Sequence, residues 1–334
     1  MRYAQLRFGF LIVFLFLLTG CAGPVISPTA SQEPLPISTD THTPEASPTE
    51  TSTEIPSKLM FDDFEYSTHE EMTANGWIIR AKPGWPGVPG ATFRPENVTF
   101  IEDSEIANNR LLRMTSSTDG ISSNTFQTQI CHQRKYLEGT YAARVYFNID
   151  PSVGPDGDQV VETFYAITPY EEAFKPDYSE TDFEYLPNGG WGWQTTVFMF
   201  TTWETVRIEP WSADNAYDSI VENLEGWRTL VLQVKDGKAR YYASGKPVAE
   251  HSGNYYPDSP MSINFNLWFI NGGLLDSQEP RSYQEDIDWV FHEADVILTP
   301  EQVDQKVHSL RETGIRFQDT VLAASPPLES LCDM

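Results

Sequence analysis

Three acidic side chains alternate along the segment Glu180-Thr181-Asp182-Phe183-Glu184. If this segment is a β-strand, Glu180, Asp182 and Glu184 project from one face and the residues between them project from the other. Carboxylates in a row repel one another, and acidic residues are poor strand formers. A locally unfavourable pattern inside an otherwise regular strand is typical of a functional site.

The spacing of these carboxylates suits one kind of chemistry. At about 3.3 Å per residue, the outer Cα atoms lie roughly 13 Å apart, and side chains that lean inward leave a gap of about 5 to 6 Å. A carboxylate pair near 5.5 Å suits a retaining glycosidase, in which one group attacks the anomeric carbon and the other protonates the leaving oxygen. Asp182 would orient the nucleophile and keep the acid protonated. On charge alone, a solvated strand face explains the pattern equally well.

The residues around this segment predict an all-β domain over 58–298. Runs rich in aromatic and β-branched residues, many with period two, predict strands at 111–115, 139–148, 159–168, 180–186, 193–203, 227–234 and 262–270. Asp236-Gly237 predicts a type I′ hairpin turn. Many antiparallel strands in one domain favour a β-sandwich or jelly roll.

A short helix is predicted in the C-terminal part, 299–334. Thr299 serves as N-cap, Pro300 as the first helical residue, and Gln302 completes a capping box, while Gly314 follows the end. Its apolar stripe consists of Val303, Val307 and Leu310. We expect this stripe to pack on the outside of the sandwich, because so short a helix is marginal alone.

Composition limits the partners. The 334 residues include 48 Asp plus Glu against 22 Lys plus Arg, a net charge of −26. Nucleic acids and acidic lipids need a cationic face, so we expect neither as a principal partner. The same charge favours a neutral polysaccharide over sulfated or uronic acid polymers. We expect a monomer.

The first 57 residues predict export and anchoring. Arg2 and Arg7 precede an apolar run at 8–18, which is typical of a signal peptide over 1–20. Leu18-Thr19-Gly20-Cys21 reads as a lipobox, so Cys21 is expected to carry a lipid anchor; the alternative is an ordinary secretory signal with an incidental cysteine. Residues 21–57, rich in Pro, Ser and Thr, predict a disordered tether. The protein would be a membrane-anchored lipoprotein facing the outside of the cytoplasm.

The acidic segment resembles the Glu-x-Asp-x-Glu signature of glycoside hydrolase family 16, in the form without a bulge found in lichenases and xyloglucan endotransglycosylases. Further matches are Gly139-Thr140-Tyr141, Asn266-Leu267-Trp268 and Asp288-Trp289-Val290. The resemblance covers roughly 61–291. It implies a concanavalin A-like jelly-roll sandwich of two curved antiparallel sheets, with substrate in the concave one.

The resemblance also implies site roles. Glu180 would be the nucleophile, Glu184 the general acid/base and Asp182 the assisting carboxylate. The expected sugar-contacting residues are Gln194 on the following strand, the cleft residues Asn266 and Trp268, and the stacking aromatics Tyr165 and Tyr178. No cofactor is required, although Asp288 matches one ligand of a structural calcium ion. Two departures stand out: Ala142 replaces a sugar-contacting Glu, and Ser244 replaces the Asp of a turn.

Three functions remain open at this point. The first is an endo-acting β-glucanase working with retention by double displacement, the second a transglycosylase on the same site, and the third a non-catalytic carbohydrate-binding lipoprotein. The exact glycan stays open as well. In an oxidising compartment, Cys131 and Cys332 could form a disulfide or remain free thiols.

Overall fold

The computed structural model describes residues 58–330 and residue 332. The predicted signal peptide, the lipid-anchor Cys21 and the tether lie outside the described residues and stay predictions, as do the domain limits. Within residues 58–330, no helix combines the length and apolar character that crossing a membrane requires.

The regular secondary structure of the described residues is mostly β-strand. In chain order the strands are β1 Leu59–Asp62, β2 Ile78–Ile79, β3 Thr92–Phe93, β4 Val98–Glu102, β5 Arg110–Thr118, β6 Phe126–Cys131, β7 Gly139–Phe147, β8 Val160–Ile167, β9 Glu180–Leu186, β10 Val197–Arg207, β11 Ser212–Ile220, β12 Gly226–Lys235, β13 Lys238–Ala243, β14 Lys246–Ser252, β15 Ser262–Phe269, β16 Arg281–Ala294 and β17 Phe317–Asp319. The two α-helices are α1 His69–Ala74 and α2 Pro300–Glu312. The predicted all-β class is confirmed.

The strands pair into two sheets. Sheet I has the order β4-β5-β16-β7-β12-β13-β14, with β1 beside the second half of β16 and β17 beside β1. Sheet II has the order β2-β6-β15-β8-β9-β10-β11. Strand β6 also pairs with β3 and β5, which links the sheets. Apart from the parallel β3–β6 pair, these pairings are antiparallel, as a jelly-roll sandwich requires.

The core between the sheets fixes which way β9 faces. Phe183 is buried there, 5.9 Å from the ring of Phe164 on β8 and 5.2 Å from that of Tyr241 on β13. Because side chains alternate along a strand, burying Phe183 turns Asp182 and Glu184 to the opposite face of sheet II. The fold therefore places the carboxylates on the outer face of this sheet.

Helix α2 packs on sheet I as predicted. The Thr299 side chain accepts from the Gln302 backbone in a capping box, and Pro300 is the first helical residue. Val303 and Val307 are buried in a cluster on the outer face of sheet I, with Leu310 partly buried beside them. Tertiary burial thus supplies the stability that the short helix lacks alone.

Two sequence interpretations need correction here. Ala142 is not at a sugar-contacting position, because it lies on β7 in sheet I and packs in the cluster beneath α2. Strand β10 begins at Val197 instead of residue 193, because the chain turns through positive φ angles at Gly189, Trp191 and Gly192.

The predicted hairpin turn at Asp236-Gly237 is present, with positive φ at both residues, 53° and 71°. Cys131 and Cys332 form a disulfide, with their Cα atoms 5.6 Å apart.

Candidate active site

Strand β9 lies between β8 and β10 in sheet II, and the pairing surrounds its carboxylates with specific neighbours. The cross-strand partners are Ile167 and Trp203 for Glu180, Tyr165 and Thr201 for Asp182, and Thr163 and Met199 for Glu184. Directly paired residues share a face of the sheet, so the partners stand beside the carboxylates. The environment of each carboxylate is therefore set by strand register.

The carboxylates line a cleft of about 540 Å³. Its walls are largely aromatic; they include Trp85, Tyr165, Tyr178, Trp191, Trp193, Trp203, Trp211, Tyr217 and Trp268. Asn266 and Asn271 add amide groups to the lining. Aromatic faces beside a few fixed polar groups are well suited to a sugar, whose ring has apolar faces and a polar rim.

Two side chains donate hydrogen bonds to the carboxylates. The hydroxyl of Tyr178 donates to Glu180 Oε2, and the indole Nε1 of Trp203 donates to Asp182 Oδ2 at 2.5 Å. A further hydrogen bond joins Glu180 and Asp182. Glu180 is therefore the outer carboxylate held by the hydroxyl of Tyr178 and the carboxyl of Asp182.

The cleft raises the pKa of each of the three carboxyl groups. Burial raises the pKa of Glu180 to about 7, against the lowering effect of its hydrogen bonds to Tyr178 and Asp182. Burial, followed by the charge of Glu180, raises the pKa of Glu184 to about 8. Burial and the charges of both glutamates hold the pKa of Asp182 well above its usual range. Of the two glutamates, Glu180 is therefore the first to ionise as pH rises, and Glu184 keeps its proton to higher pH.

Comparisons with known proteins place this fold. No protein-family model matches the sequence, and no curated protein is significantly similar. Among solved structures, the chain is similar to a Bacillus licheniformis beta-glucanase, at 15% identity and a TM-score of 0.50, over 70% of this chain and 97% of that one. It is also similar to a prokaryotic beta-1,3-1,4-glucanase (lichenase) from a mouse hindgut metagenome, at 17% identity and a TM-score of 0.50, over 70% and 98%.

A third similar structure is a glycoside hydrolase family 16 endo-glucanase from Bacteroides ovatus. Its identity is 15% and its TM-score 0.51, with 69% of this chain and 98% of that one covered. The chain shares their fold. The expected jelly-roll architecture is therefore confirmed by the strand pairing and by these structures together.

The structure brings most of the predicted residues together. Tyr165, Tyr178, Asn266 and Trp268 line the cleft with the carboxylates. Gln194 does not join them: it is exposed before β10 begins and donates to the Gly192 carbonyl at 3.3 Å. Its placement on the strand after β9 is therefore wrong, because that strand begins three residues later.

The two predicted stacking tyrosines are mostly covered. Tyr178 is 3% exposed and Tyr165 is 8% exposed, and both pack with Ile167 and Val206 in a small apolar cluster. The rings that the cleft presents most openly to solvent are instead Trp191, at 48% exposed, Trp211, at 55%, and Tyr217, at 57%. Stacking by Tyr165 and Tyr178 stays a prediction, while the exposed rings offer larger open faces.

Sequence reasoning missed Trp85, Trp203 and Trp211, although each left a signal. Trp203 shares a strand face with Met199 and Thr201 at period two, in a strand next to the acidic one. Trp85 follows Pro83-Gly84, and Trp211 follows Glu209-Pro210, so both large rings stand in turn-like sequence without an apolar pattern. A bulky aromatic residue in such a segment is a candidate for ligand contact.

The surroundings of Asp288 do not fit a calcium ion. Asp288 is fully buried, and its Oδ2 accepts from Arg144 at 2.6 Å while its Oδ1 accepts from Arg311 at 2.6 Å. Asn109 donates to Oδ1 as well, at 2.9 Å. Two guanidinium groups already neutralise the carboxylate and would repel a divalent cation. No group of three or more candidate metal ligands occurs among residues 58–330 and 332.

Proposed function

We propose that this chain is a retaining glycoside hydrolase of family 16 that cleaves β-glucan chains internally. One observation carries the proposal: a single strand presents Glu180 and Glu184 to one aromatic cleft, with a hydrogen-bonded Asp182 between them. The pKa order of the two glutamates supplies an ionised group and a protonated group near neutral pH. Such a pair is what double displacement requires.

In the first step, the ionised Glu180 attacks the anomeric carbon. The bond from that carbon to the leaving oxygen breaks, and Glu184 gives its proton to this oxygen. A glycosyl ester of Glu180 and a shortened glucan result. Asp182 donates a hydrogen bond to Glu180 beforehand, which fixes the attacking carboxylate in position.

In the second step, Glu184, now ionised, takes a proton from water. The water oxygen bonds to the anomeric carbon, and the ester bond to Glu180 breaks. Two inversions give net retention of configuration, and both glutamates return to their starting protonation states. The raised pKa of Glu184 suits it to both roles because it lies near the operating pH.

The proposed substrate class rests on three supports. The similar solved structures carry the names beta-glucanase, lichenase and endo-glucanase. The net charge of −26 favours a neutral glycan over an anionic one. The exposed faces of Trp191 and Trp211 suit the apolar faces of glucosyl rings.

The test is Glu180→Ala with azide rescue. We expect hydrolysis of mixed-linkage β-glucan to fall at least 10⁴-fold, because the nucleophile is lost. With an activated aryl oligoglucoside, azide should enter from the vacated face, form a bond to the anomeric carbon as the aryloxide leaves, and give an inverted glycosyl azide. Glu222→Ala, at an exposed glutamate, is the matched control and should hydrolyse glucan normally.

The outcomes separate the competing functions. Wild-type hydrolysis by Glu180→Ala would end the proposal. Products longer than the substrate, formed when an oligosaccharide acceptor is added, would point to the transglycosylase. Tight glucan binding by the wild type without new reducing ends would point to the non-catalytic lipoprotein.

We further propose that Cys21 anchors the protein to a membrane outside the cytoplasm. The support is sequence alone: a signal-like stretch ends at Leu18-Thr19-Gly20-Cys21 and a polar tether follows. Labelling with a fatty-acid analogue should mark the wild type and leave Cys21→Ala unmarked. Equal labelling of both would contradict the anchor.

A further inference from the structure

Four tryptophan rings form a continuous chain of contacts at the cleft. The ring centroids of Trp268 and Trp85 lie 6.4 Å apart, those of Trp85 and Trp211 lie 6.2 Å apart, and those of Trp211 and Trp203 lie 6.0 Å apart. Trp85 and Trp211 are nearly parallel, with 25° between their planes. All four rings line the same cleft as the carboxylates.

The ends of this chain stand on opposite sides of the acidic strand. Trp268 belongs to β15 and Trp203 to β10, while β8 and β9 lie between them in sheet II. The span is three strand spacings, about 14 Å. The two middle rings come from connections instead: Trp85 from the loop between β2 and β3, and Trp211 from the turn between β10 and β11. The rings therefore cross from one flank of β9 to the other.

The loop that carries Trp85 is held firmly by hydrogen bonds and close packing. The carbonyl of Trp85 accepts two hydrogen bonds from the buried Arg80, both at 3.1 Å, and the next carbonyl, of Pro86, accepts from Gln127 at 3.1 Å. A Cβ atom at Gly87 would lie 2.1 Å from the Gln127 side chain, so the loop backbone packs closely there. Trp85 is thus fixed against the body of the protein.

Trp211, by contrast, is exposed. Trp211 is 55% exposed at the tip of its turn, and within residues 58–330 its ring contacts the rings of Trp85 and Trp203. A separation of 6.2 Å between the Trp85 and Trp211 rings leaves no room for a sugar between them, because each aromatic–sugar contact needs about 3.5 to 4.0 Å. A glycan must pass beneath the pair, or Trp211 must swing aside to admit it.

We propose that Trp85 and Trp211 form a bridge over the cleft that selects linear, unsubstituted glucan chains. This proposal rests on the proposed function and specifies its substrate. A side group on a glucosyl unit beneath the bridge would meet the two rings, because a chain lying on the carboxylates has its other side toward them. Linear chains pass, whereas glucans with sugar branches along the backbone are rejected by steric conflict.

The test compares the binding affinities of two oligosaccharides for a catalytically inactive variant. Glu180→Gln removes the nucleophile, and calorimetry then measures the affinity for a linear mixed-linkage glucan oligosaccharide and for a xylose-substituted glucan oligosaccharide of equal backbone length. We expect the linear ligand to bind at least about tenfold more tightly, a steric discrimination of ordinary size for a protein pocket. Adding Trp211→Ala should remove most of that preference by improving binding of the substituted ligand.

Trp191→Ala is the matched control. Trp191 is a similarly exposed ring that lines the same cleft and contacts Trp268 outside the bridge. Removing the Trp191 ring should weaken the binding of both ligands by a similar factor and leave the ratio of their affinities unchanged. Far-ultraviolet circular dichroism confirms that each variant is folded, and Trp211→Phe, which retains an aromatic ring, should keep part of the preference.

The outcomes distinguish this inference from the function beneath it. Equal affinity for the two ligands in Glu180→Gln, a preference that survives Trp211→Ala, or failure of both ligands to bind would overturn the bridge. A bridge-dependent preference together with no hydrolysis of any glucan by the wild type would instead overturn the proposed hydrolase and leave the bridge supported.

Discussion

The indole Nε1 of Trp203 lies 2.5 Å from Oδ2 of Asp182 and donates a hydrogen bond to it. An indole N–H is only a donor, so Oδ2 must be an acceptor in this pair. Burial, followed by the charges of Glu180 and Glu184, holds the pKa of Asp182 well above its usual range, which favours the protonated carboxyl. A proton on Asp182 is available for its hydrogen bond to Glu180. Trp203 thereby orients the acid that orients the nucleophile.

Trp203→Phe should lower kcat on β-glucan by about twofold to tenfold. Asp182 donates its proton to Glu180 in the proposed mechanism, so the change removes a hydrogen bond to an uncharged carboxyl, which is worth about 0.5 to 1.5 kcal/mol, while a ring remains in the cleft wall. KM should change little, because the ring contributes binding and its N–H contributes orientation. Steady-state kinetics check both values.

Trp193→Phe is the comparison for this effect, since Trp193 lines the same cleft and packs beside Leu186 and Val197. Its kcat should stay close to the wild-type value, because a packing contact alone is adjusted more easily than a fixed hydrogen bond. Equal losses of kcat in the two variants would remove the orienting role of Trp203.

The pH dependence of kcat/KM should be a narrow bell. The active form has Glu180 ionised and Glu184 protonated. As pH falls through about 7, Glu180 takes up a proton and activity is lost; as pH rises through about 8, Glu184 loses its proton and activity is lost again. The two values belong to a coupled pair, so the profile reports the pair. A plateau from pH 5 to 9 would contradict this assignment.

Replacing Glu180 should lower the pKa of Glu184. Glu180→Gln removes the negative charge that helps to raise the pKa of Glu184, so that pKa should fall below about 8. Carbon-13 NMR titration of labelled glutamate carboxyl groups measures the change directly. An unchanged or higher value for Glu184 in the variant would show that the two carboxylates do not interact.

The sequence predicted the parts of this protein that depend on local pattern. Alternation along 180–186 gave the strand and its two faces, because Phe183 must be buried if the sheet is to have a core. The capping box at Thr299 gave the helix, and the Asp236-Gly237 pair gave its turn. Strand β11 was missed because its residues, Ser212–Ile220, are mostly polar and partly exposed.

Features that depend on distant pairing could not be predicted. Trp85 and Trp211 lie 126 positions apart in the sequence, and no apolar pattern surrounds either residue. Their ring contact therefore depends on the conformations of two loops. Asp288 was expected as a calcium ligand from the family resemblance alone, and its arginine partner Arg311 comes from a helix whose docking position the sequence does not reveal. Side-chain direction in a loop and charge pairing across elements are tertiary properties.

Arg311→Ala should destabilise the folded state by about 3 kcal/mol. Arg311 donates to Asp63 Oδ1 and to Asp288 Oδ1, each at 2.6 Å, and both aspartates are fully buried. Removing one partner of a buried ion pair leaves charge without compensation, at a cost of about 3 to 5 kcal/mol. The lower figure applies because Arg316 and Arg144 remain on the two aspartates. Urea unfolding at pH 7 measures the loss.

Lys58→Ala is the control for that measurement. Lys58 pairs with Asp295 at 3.2 Å, but the two side chains are 50% and 58% exposed. An exposed pair contributes less than about 1 kcal/mol, so this variant should unfold near the wild-type urea concentration. A loss in Lys58→Ala as large as that in Arg311→Ala would mean that burial of the aspartates is not the source of the effect.

Glu285→Gln should flatten the dependence of stability on pH. Glu285 and Glu162 are both buried between the sheets, and neither oxygen of Glu285 has a hydrogen-bond partner among residues 58–330 and 332. Burial, followed by the charge of Asp286, raises the pKa of Glu285 well above its usual range, and burial with the charge of Glu285 does the same for Glu162. The folded state therefore keeps protons that the unfolded chain releases above a pKa of about 4.5.

Because the folded state binds more protons than the unfolded chain above pH 4.5, the stability falls as the pH rises. From pH 4.5 upward, until the folded pKa is passed, each such group lowers the free energy of unfolding by about 1.4 kcal/mol per pH unit. Glutamine has nearly the same shape and does not titrate, so Glu285→Gln should lose less stability than the wild type between pH 5 and pH 8. Urea unfolding at both values, with the exposed Glu222→Gln as control, measures the change. Parallel losses in wild type and Glu285→Gln would show that Glu285 does not hold its proton in the folded protein.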